Sequence, residues 1–288
     1  MHPQQQSLIY LHIAVLLFGG TALFAKLINL NALDITVYRA GVAGCALILL
    51  LYIQKKAIKL TCKRDYLIAL LLGITVGIHW LTYFAGMQLA GIAIGMIAFF
   101  TYPVITVFIE PFFHAKKPQI KDILSAAVVL IGIYLLIPDA SLGNDVTLGI
   151  LTGIVSAFFF ATRNILHKRY FSHYGGPQTM LYQTFVACIM LCAFVDVPPL
   201  QIDTVNWLLI VTAGVIFTAT PHSLFAASLQ YLSASTAGLI SCLQPLYGTF
   251  LAFLILNEQP TLTTIIGGFL VISAAFYETW SVTRKHKL

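Results

Sequence analysis

The sequence predicts an all-α integral membrane protein of ten transmembrane helices, arranged as two inverted five-helix repeats. Three observations predict it. Of 288 residues, 59% are hydrophobic and 9% charged, against about 25% charged in a soluble domain. The 44 residues between Asp65 and Glu110, and the 54 between Asp203 and Glu258, contain no Lys, Arg, Asp or Glu; each run has room for two spans of about 20 residues. The chain also repeats itself at an offset of 142 positions. This composition excludes a soluble globular domain, a disordered chain and a disulfide scaffold. An outer-membrane barrel would alternate polar and apolar residues along its strands, whereas the apolar runs here are continuous.

The spans follow in order: 9–28, 32–53, 66–87, 92–112, 120–137, 147–166, 178–196, 205–228, 234–256 and 261–280. The first run is flanked by His2 and Gln4–Gln6, lacks a basic leader region, and reads as a first span rather than a cleavable signal. Orientation follows from the short loops, because Lys and Arg concentrate on the cytoplasmic side. Of 16 such residues, 13 fall on one face: Lys55, Lys56, Lys59, Lys63 and Arg64; Lys116, Lys117 and Lys121; Lys168 and Arg169; Arg284, Lys285 and Lys287. Both termini are therefore expected in the cytoplasm, with the protein multi-pass in the plasma or inner membrane. The net charge of +6 reports topology, and no loop is long enough to form a nucleic-acid-binding domain. Cys188 and Cys192 share a helix face but have no third ligand near them in sequence, so they read as small packing residues.

Shifting the chain by 142 places Gln88 on Gln230, Pro103 on Pro245 and Pro118 on Pro260 without a gap. Lys26 falls on Lys168, Phe108 on Phe250, Ile123 on Ile265 and Val129 on Val271. The halves are 1–140 and 141–288, joined at Pro138–Asp145. Each half holds five spans. Five is odd, so the second half enters the membrane inverted, an arrangement that lets two equivalent halves exchange roles.

Local stretches then carry a family resemblance: Tyr38-Arg39-Ala40, Thr101-Tyr102-Pro103, Gln244-Pro245, and Leu256-Asn257-Glu258-Gln259-Pro260 followed by Gly267-Gly268. With the ten spans and the repeat, the chain resembles the EamA-type permeases of the drug/metabolite transporter superfamily. In the first half the equivalent passage reads His114-Ala115-Lys116-Lys117-Pro118, so its acidic residue is replaced by Lys116. The resemblance implies export or import of small metabolites, among them amino acids and choline-like amines. It also implies that spans 1, 3, 4, 6, 8 and 9 line a central cavity.

Ionisable and polar groups inside spans are expensive and are kept for function. His79 shares a face with Tyr83, and Trp80 is adjacent. Phe99 and Tyr102 form an aromatic stripe in span 4; Arg163, Asn164 and His167 lie together on span 6; His222 follows Pro221; Gln244 precedes Pro245, with Tyr247 three residues on. His222 stands at the repeat position of Trp80, and Gln244 at that of Tyr102. The expected substrate site is therefore His79, Trp80, Tyr83, Phe99, Tyr102, Arg163, Asn164, His222, Gln244 and Tyr247. Arg163 would attract a carboxylate, and the aromatic surfaces would hold an apolar or aminated part. Pro103, Pro221 and Pro245 are the expected hinges, since each removes a helix hydrogen bond. The competing readings are bland: a membrane histidine donates to a carbonyl, Arg163 snorkels, and aromatic stripes pack.

The expected function is alternating-access transport of a small organic metabolite, foremost an amino acid or amino-acid-like compound. A carrier of choline-like or other amine and drug cations is the alternative; span 1 holds no acid, which disfavours a purely cationic drug, whereas an aromatic box could hold a quaternary amine by cation–π contact. An integral-membrane enzyme is the second alternative; no metal cluster, G-x-S-x-G or phosphate-cradling loop supports it, so no catalytic residue, metal or cofactor is expected. Transport would be facilitated or driven by a proton or other ion gradient, with His79 or His222 carrying the proton. The expected partners are the substrate and the lipid bilayer; whether the chain is a monomer or a homodimer is left open by the sequence.

Overall fold

A computed structural model describes residues 2–114, 120–135 and 144–256 and, of the last stretch, 262, 265–267, 269–270, 272–274 and 277. Among these residues every regular element is helical. The elements are α1 (Pro3–Thr21), α2 (Phe24–Leu27), α3 (Ala32–Ile53), α4 (Lys63–Ala90), α5 (Ile92–Phe99), α6 (Tyr102–His114), α7 (Ile120–Leu135), α8 (Asn144–Tyr170), α9 (Gly176–Leu191), α10 (Thr204–Gly214), a π-helical turn (Val215–Ala219), α11 (Thr220–Ser228), α12 (Ala234–Ser241) and α13 (Gln244–Leu256). Their starts are written locally. Asn31, Asp203 and Ser233 each accept the backbone N–H three residues on, capping α3, α10 and α12, which satisfies an otherwise orphaned donor. Gly91 turns the chain between α4 and α5 at φ 86°, a conformation a side chain would strain.

Among the described residues, seven helical stretches are long and apolar enough to cross a membrane: Pro3–Leu27, Ala32–Ile53, Lys63–Ala90, Thr147–Tyr170, Gly176–Phe194, Thr204–Ser228 and Thr236–Ile255. The ten-span expectation thus matches at seven places. The fourth span is divided by a turn at Phe100–Thr101 into helices of 8 and 13 residues. The fifth, α7, has 16 residues, about 24 Å at helical rise. The tenth lies only partly within the described residues. So do the expected Pro138–Asp145 joint and the passage from Leu256 to Gly268; Lys116, Lys117, Pro118 and the C-terminal basic residues lie wholly outside them.

The helix boundaries Ile92, Phe99 and Tyr102 recur 142 positions on as Ala234, Ser241 and Gln244. The turn at Phe100–Thr101 is likewise matched by one at Cys242–Leu243.

Packing uses small residues. A Cβ added to Gly149 would lie 2.4 Å from Ala90 Cβ and 3.0 Å from Gly86 O; one on Gly73 would lie 2.3 Å from Val186 Cβ. The helix backbones thus approach closely where α4 meets α8 and α9, as membrane bundles do. The outward faces carry Leu49, Leu67, Leu124, Leu151, Phe158, Ile189, Leu208 and Phe250, all exposed. Arg39, Arg163, His79, His167 and His222 are buried. Apolar residues outside and charge inside invert the rule for a protein in water and identify a multi-pass membrane protein.

Candidate functional site

Between the helices lies a cavity of about 30 Å³, room for about two water molecules. α1 contributes Phe18 and Thr21; α3, Arg39; α4, His79, Trp80 and Tyr83; α5, Phe99; α8, Phe160; α11, His222; and α13, Gln244. Six of the ten residues expected at the site therefore line one cavity: His79, Trp80, Tyr83, Phe99, His222 and Gln244.

Their hydrogen bonds fix their orientation. Trp80 Nε1 donates to His222 Nε2 at 3.1 Å, which leaves the ring proton of a neutral His222 on Nδ1; that nitrogen is buried without a partner among the described residues. His79 Nδ1 lies 2.8 Å from Ser156 Oγ, which donates back to the His79 carbonyl at 3.0 Å. Gln244 Nε2 donates to the Tyr83 hydroxyl at 3.4 Å. The His79 ring stacks on Phe99 at 5.1 Å and meets Phe160 at 4.7 Å, while Phe18 faces His222 at 4.6 Å. The walls are largely aromatic with polar groups converging among them, the usual make-up of a small-molecule site.

The remaining expected residues lie elsewhere. Tyr102 is buried behind Phe99 and Phe160, at centroid distances of 4.9 and 4.8 Å, and donates to Gly238 O at 3.1 Å. Arg163 is fully buried but does not line the cavity; its Nε bonds Gln183 Oε1 at 2.7 Å, Nη1 bonds Asn164 Oδ1 at 3.0 Å, and Nη2 meets Met180 Sδ at 2.9 Å. Asn164 is thereby committed to Arg163, and no snorkelling occurs. Tyr247 packs against α1, where a Cβ on Gly19 would lie 2.5 Å from its own Cβ. Pro103, Pro221 and Pro245 each stand second in a helix, α6, α11 and α13. A proline in the first turn removes no bond within its own helix, so Pro103 and Pro245 mark helix starts beside a turn; Pro221 stands within the continuous helical stretch Thr204–Ser228, directly after its π-helical turn, where both interrupt the regular i→i−4 pattern.

Sequence reasoning missed four lining residues. Phe18, Thr21 and Phe160 carried no signal among so many apolar neighbours. Arg39 did carry one, as a charge inside a span. It is 1% exposed. Its guanidinium carbon lies 4.8 Å from the Trp80 ring centroid and 4.6 Å from that of Phe84. Nη1 donates to Thr218 Oγ1 at 3.1 Å, and among the described residues Nε and Nη2 have no partner. Thr218 is held in turn by Ala213 O at 2.7 Å, an i→i−5 contact of the π-helical turn.

A larger crevice of about 540 Å³ runs between α3, α9 and α11, from Lys56, Gln54 and Gln230 at the lysine-rich end to Val215, Thr220 and Ser223. We place the site in the smaller cavity because the unsatisfied charge is there. Among the described residues no group of His, Cys, Asp and Glu is arranged to hold a metal ion.

Comparison with known proteins agrees with this architecture. The profile of the EamA-like transporter family matches residues 5–137 and again 147–278. An uncharacterised transporter of Bacillus subtilis (strain 168), YxxF, is 25% identical over 271 residues, 91% of this chain and 85% of that one. An uncharacterised transporter of Archaeoglobus fulgidus is 24% identical over 267 residues, 91% of this chain and 92% of its own. A solved crystal structure shares the fold at a TM-score of 0.81 and 15% identity, covering 99% of each chain. The chain belongs to the EamA-like transporter family.

Proposed function

We propose that this member of the EamA-like transporter family is an alternating-access permease for a small, amino-acid-like metabolite. In this reading the chain comprises ten spans in two inverted halves, 1–140 and 141–288, with both termini on the cytoplasmic face of the plasma or inner membrane. The observation that carries it is the contact of repeat mates across the cavity. Trp80 and His222 stand 142 positions apart and touch. A residue meets its own symmetry mate only near the axis relating the halves. A site on that axis is reached equally from either side when the halves rock. The recurrence of helix boundaries and the doubled family match support the same symmetry.

In this reading the cavity opens to alternate sides, and widens to admit substrate, as the halves part. Flux is driven by the substrate gradient or by a coupled proton or other ion, with His79 and His222 as the titratable groups in the wall. No cofactor takes part. The partners are the substrate and the bilayer, for a monomer or a homodimer. The alternative of an amine carrier is weakened by the cavity wall, which among the described residues holds an arginine and no carboxylate. The test is counterflow of amino acids and amines in proteoliposomes. Accelerated exchange of a preloaded compound supports the permease; no exchange by any member of a broad panel, from folded protein, refutes it.

A further inference from the structure

We propose that Arg39 anchors a carboxylate of the substrate, so that the cavity selects organic anions and zwitterions over amines; this inference rests on the permease reading above. An arginine buried in an apolar bundle is costly unless a counter-charge and hydrogen bonds satisfy it. Arg39 is 1% exposed, yet among the described residues only its Nη1 has a hydrogen-bond partner. Nε and Nη2 are left open. The acids nearest along the chain are engaged elsewhere: Asp34 accepts the N–H groups of Asp196 and Val197, and Asp65 accepts the Tyr174 hydroxyl. Trp80 and Phe84 flank the guanidinium and hold its plane by cation–π contact. Two vacant donors on a fixed, planar cation beside a cavity match the fork of a carboxylate, which accepts two parallel bonds. Rings of Phe99, Phe160 and Tyr83 then offer surface to an apolar or aromatic body.

The stability of the free protein carries part of the test. A structural arginine, once removed, leaves the fold weaker. An arginine kept waiting for its anion leaves the free fold equal or stronger when replaced by an apolar side chain of similar length, because an uncompensated charge has gone.

The experiment uses the full chain in nanodiscs of neutral lipid, with thermal shift and calorimetric titration. The probes share one aromatic body: phenylpropanoate, phenylalanine and phenylpropylamine; chloride and inorganic phosphate are further arms. Phenylpropanoate and phenylalanine are expected to raise Tm and phenylpropylamine to leave it unchanged. Arg39→Met is expected to keep or raise the ligand-free Tm and to weaken carboxylate binding at least about tenfold; Arg39→Lys, which keeps the charge without the fork, retains part of it. Arg64→Gln, outside the cavity, is expected to bind as the wild type. Equal binding of the amine, carboxylate binding that survives Arg39→Met, or a lowered ligand-free Tm in that variant overturns the proposal. Protection by chloride or phosphate equal to that by phenylpropanoate overturns it too, because the site would then hold an inorganic ion. Should Arg39→Met not fold, equal carboxylate affinity in wild type and Arg39→Lys overturns it. Counterflow with the same probes separates the two readings. Carboxylate binding through Arg39 without flux refutes the permease and leaves this inference standing; amine flux indifferent to Arg39→Lys does the reverse.

Discussion

Trp80 donates its indole N–H to His222 across 142 residues of sequence, joining two equivalent positions of the repeat. The bond spans α4 and α11, and both rings line the cavity. Trp80→Phe leaves both ring nitrogens of His222 without a partner, and His222→Leu leaves the indole N–H without one. Each single change is expected to lower Tm, and the double change is expected to recover part of the loss. The coupling energy should fall at about 0.6–1.7 kcal/mol, the range of hydrogen bonds between membrane helices, as measured by a double-mutant cycle of unfolding. Additive losses would mean that the bond contributes nothing.

A carboxylate near one end of the bundle ties α3 to the loop after α9. Asp34 Oδ1 accepts Asp196 N at 3.0 Å and Oδ2 accepts Val197 N at 3.2 Å, while Tyr38 donates its hydroxyl to Val197 O. Asp34→Ala orphans two backbone donors, at about 1–3 kcal/mol for each one left buried. Asp34→Asn keeps an acceptor oxygen and should lose less. Chemical unfolding of the two variants in parallel gives the ranking.

The opposite end has its own latch. The Tyr174 hydroxyl donates to Asp65 Oδ2 at 2.5 Å and receives Thr61 N at 2.8 Å, while Gln230 Nε2 donates to the Tyr174 carbonyl at 3.0 Å. Tyr174→Phe removes the hydroxyl and keeps the ring. It is expected to loosen this end, so that a cysteine introduced at Ser223, in the neighbouring crevice, reacts faster with a water-soluble maleimide than in the Tyr174 background. An unchanged rate assigns the network to packing.

Close helix approach makes some glycines irreplaceable and others ordinary. Gly149→Val would drive its Cβ to 2.9 Å from Ala90 N and 3.0 Å from Gly86 O, both backbone atoms. The helices α4 and α8 must then separate, with an expected loss of about 1–3 kcal/mol. Gly41→Ala meets only Cys188 Sγ at 3.5 Å and should unfold as the wild type does.

Asp203 caps α10. The backbone N–H of Asn206 and then its side chain donate to the carboxylate, holding its pKa below the ordinary 3.8. A depressed folded-state pKa stabilises the fold above the unfolded value, and the contribution is lost as pH falls through the folded one. Asp203→Ala should therefore have a lower Tm than wild type at neutral pH. The difference should shrink as pH falls below 3.8 and vanish in stronger acid. A difference that persists there belongs to helix propensity rather than to charge.

The sequence by itself determined the class, seven of the spans and the register of the repeat. Span 32–53 coincides with α3, because Asn31 caps its start and polar residues bound its end. Prolines and glutamines at the 142 offset fixed which positions correspond before any contact was known. Part of the site was legible as well: the repeat register paired Trp80 with His222, and the two side chains touch. Tertiary structure decided which side of each helix meets protein. In water an amphipathic helix announces its buried face. In a bilayer both faces are apolar, so sequence does not distinguish lipid from core. Phe158 and Phe160 stand in one run of phenylalanines, yet the first is 47% exposed and the second 4%. The same blindness covers the two arginines. Arg163 and Arg39 are both charges within spans. Only packing showed that Gln183, Asn164 and Met180 occupy the first, while the second faces the cavity with two donors vacant. Hydrogen-bond satisfaction depends on the neighbouring helices, and those are chosen by the fold as a whole.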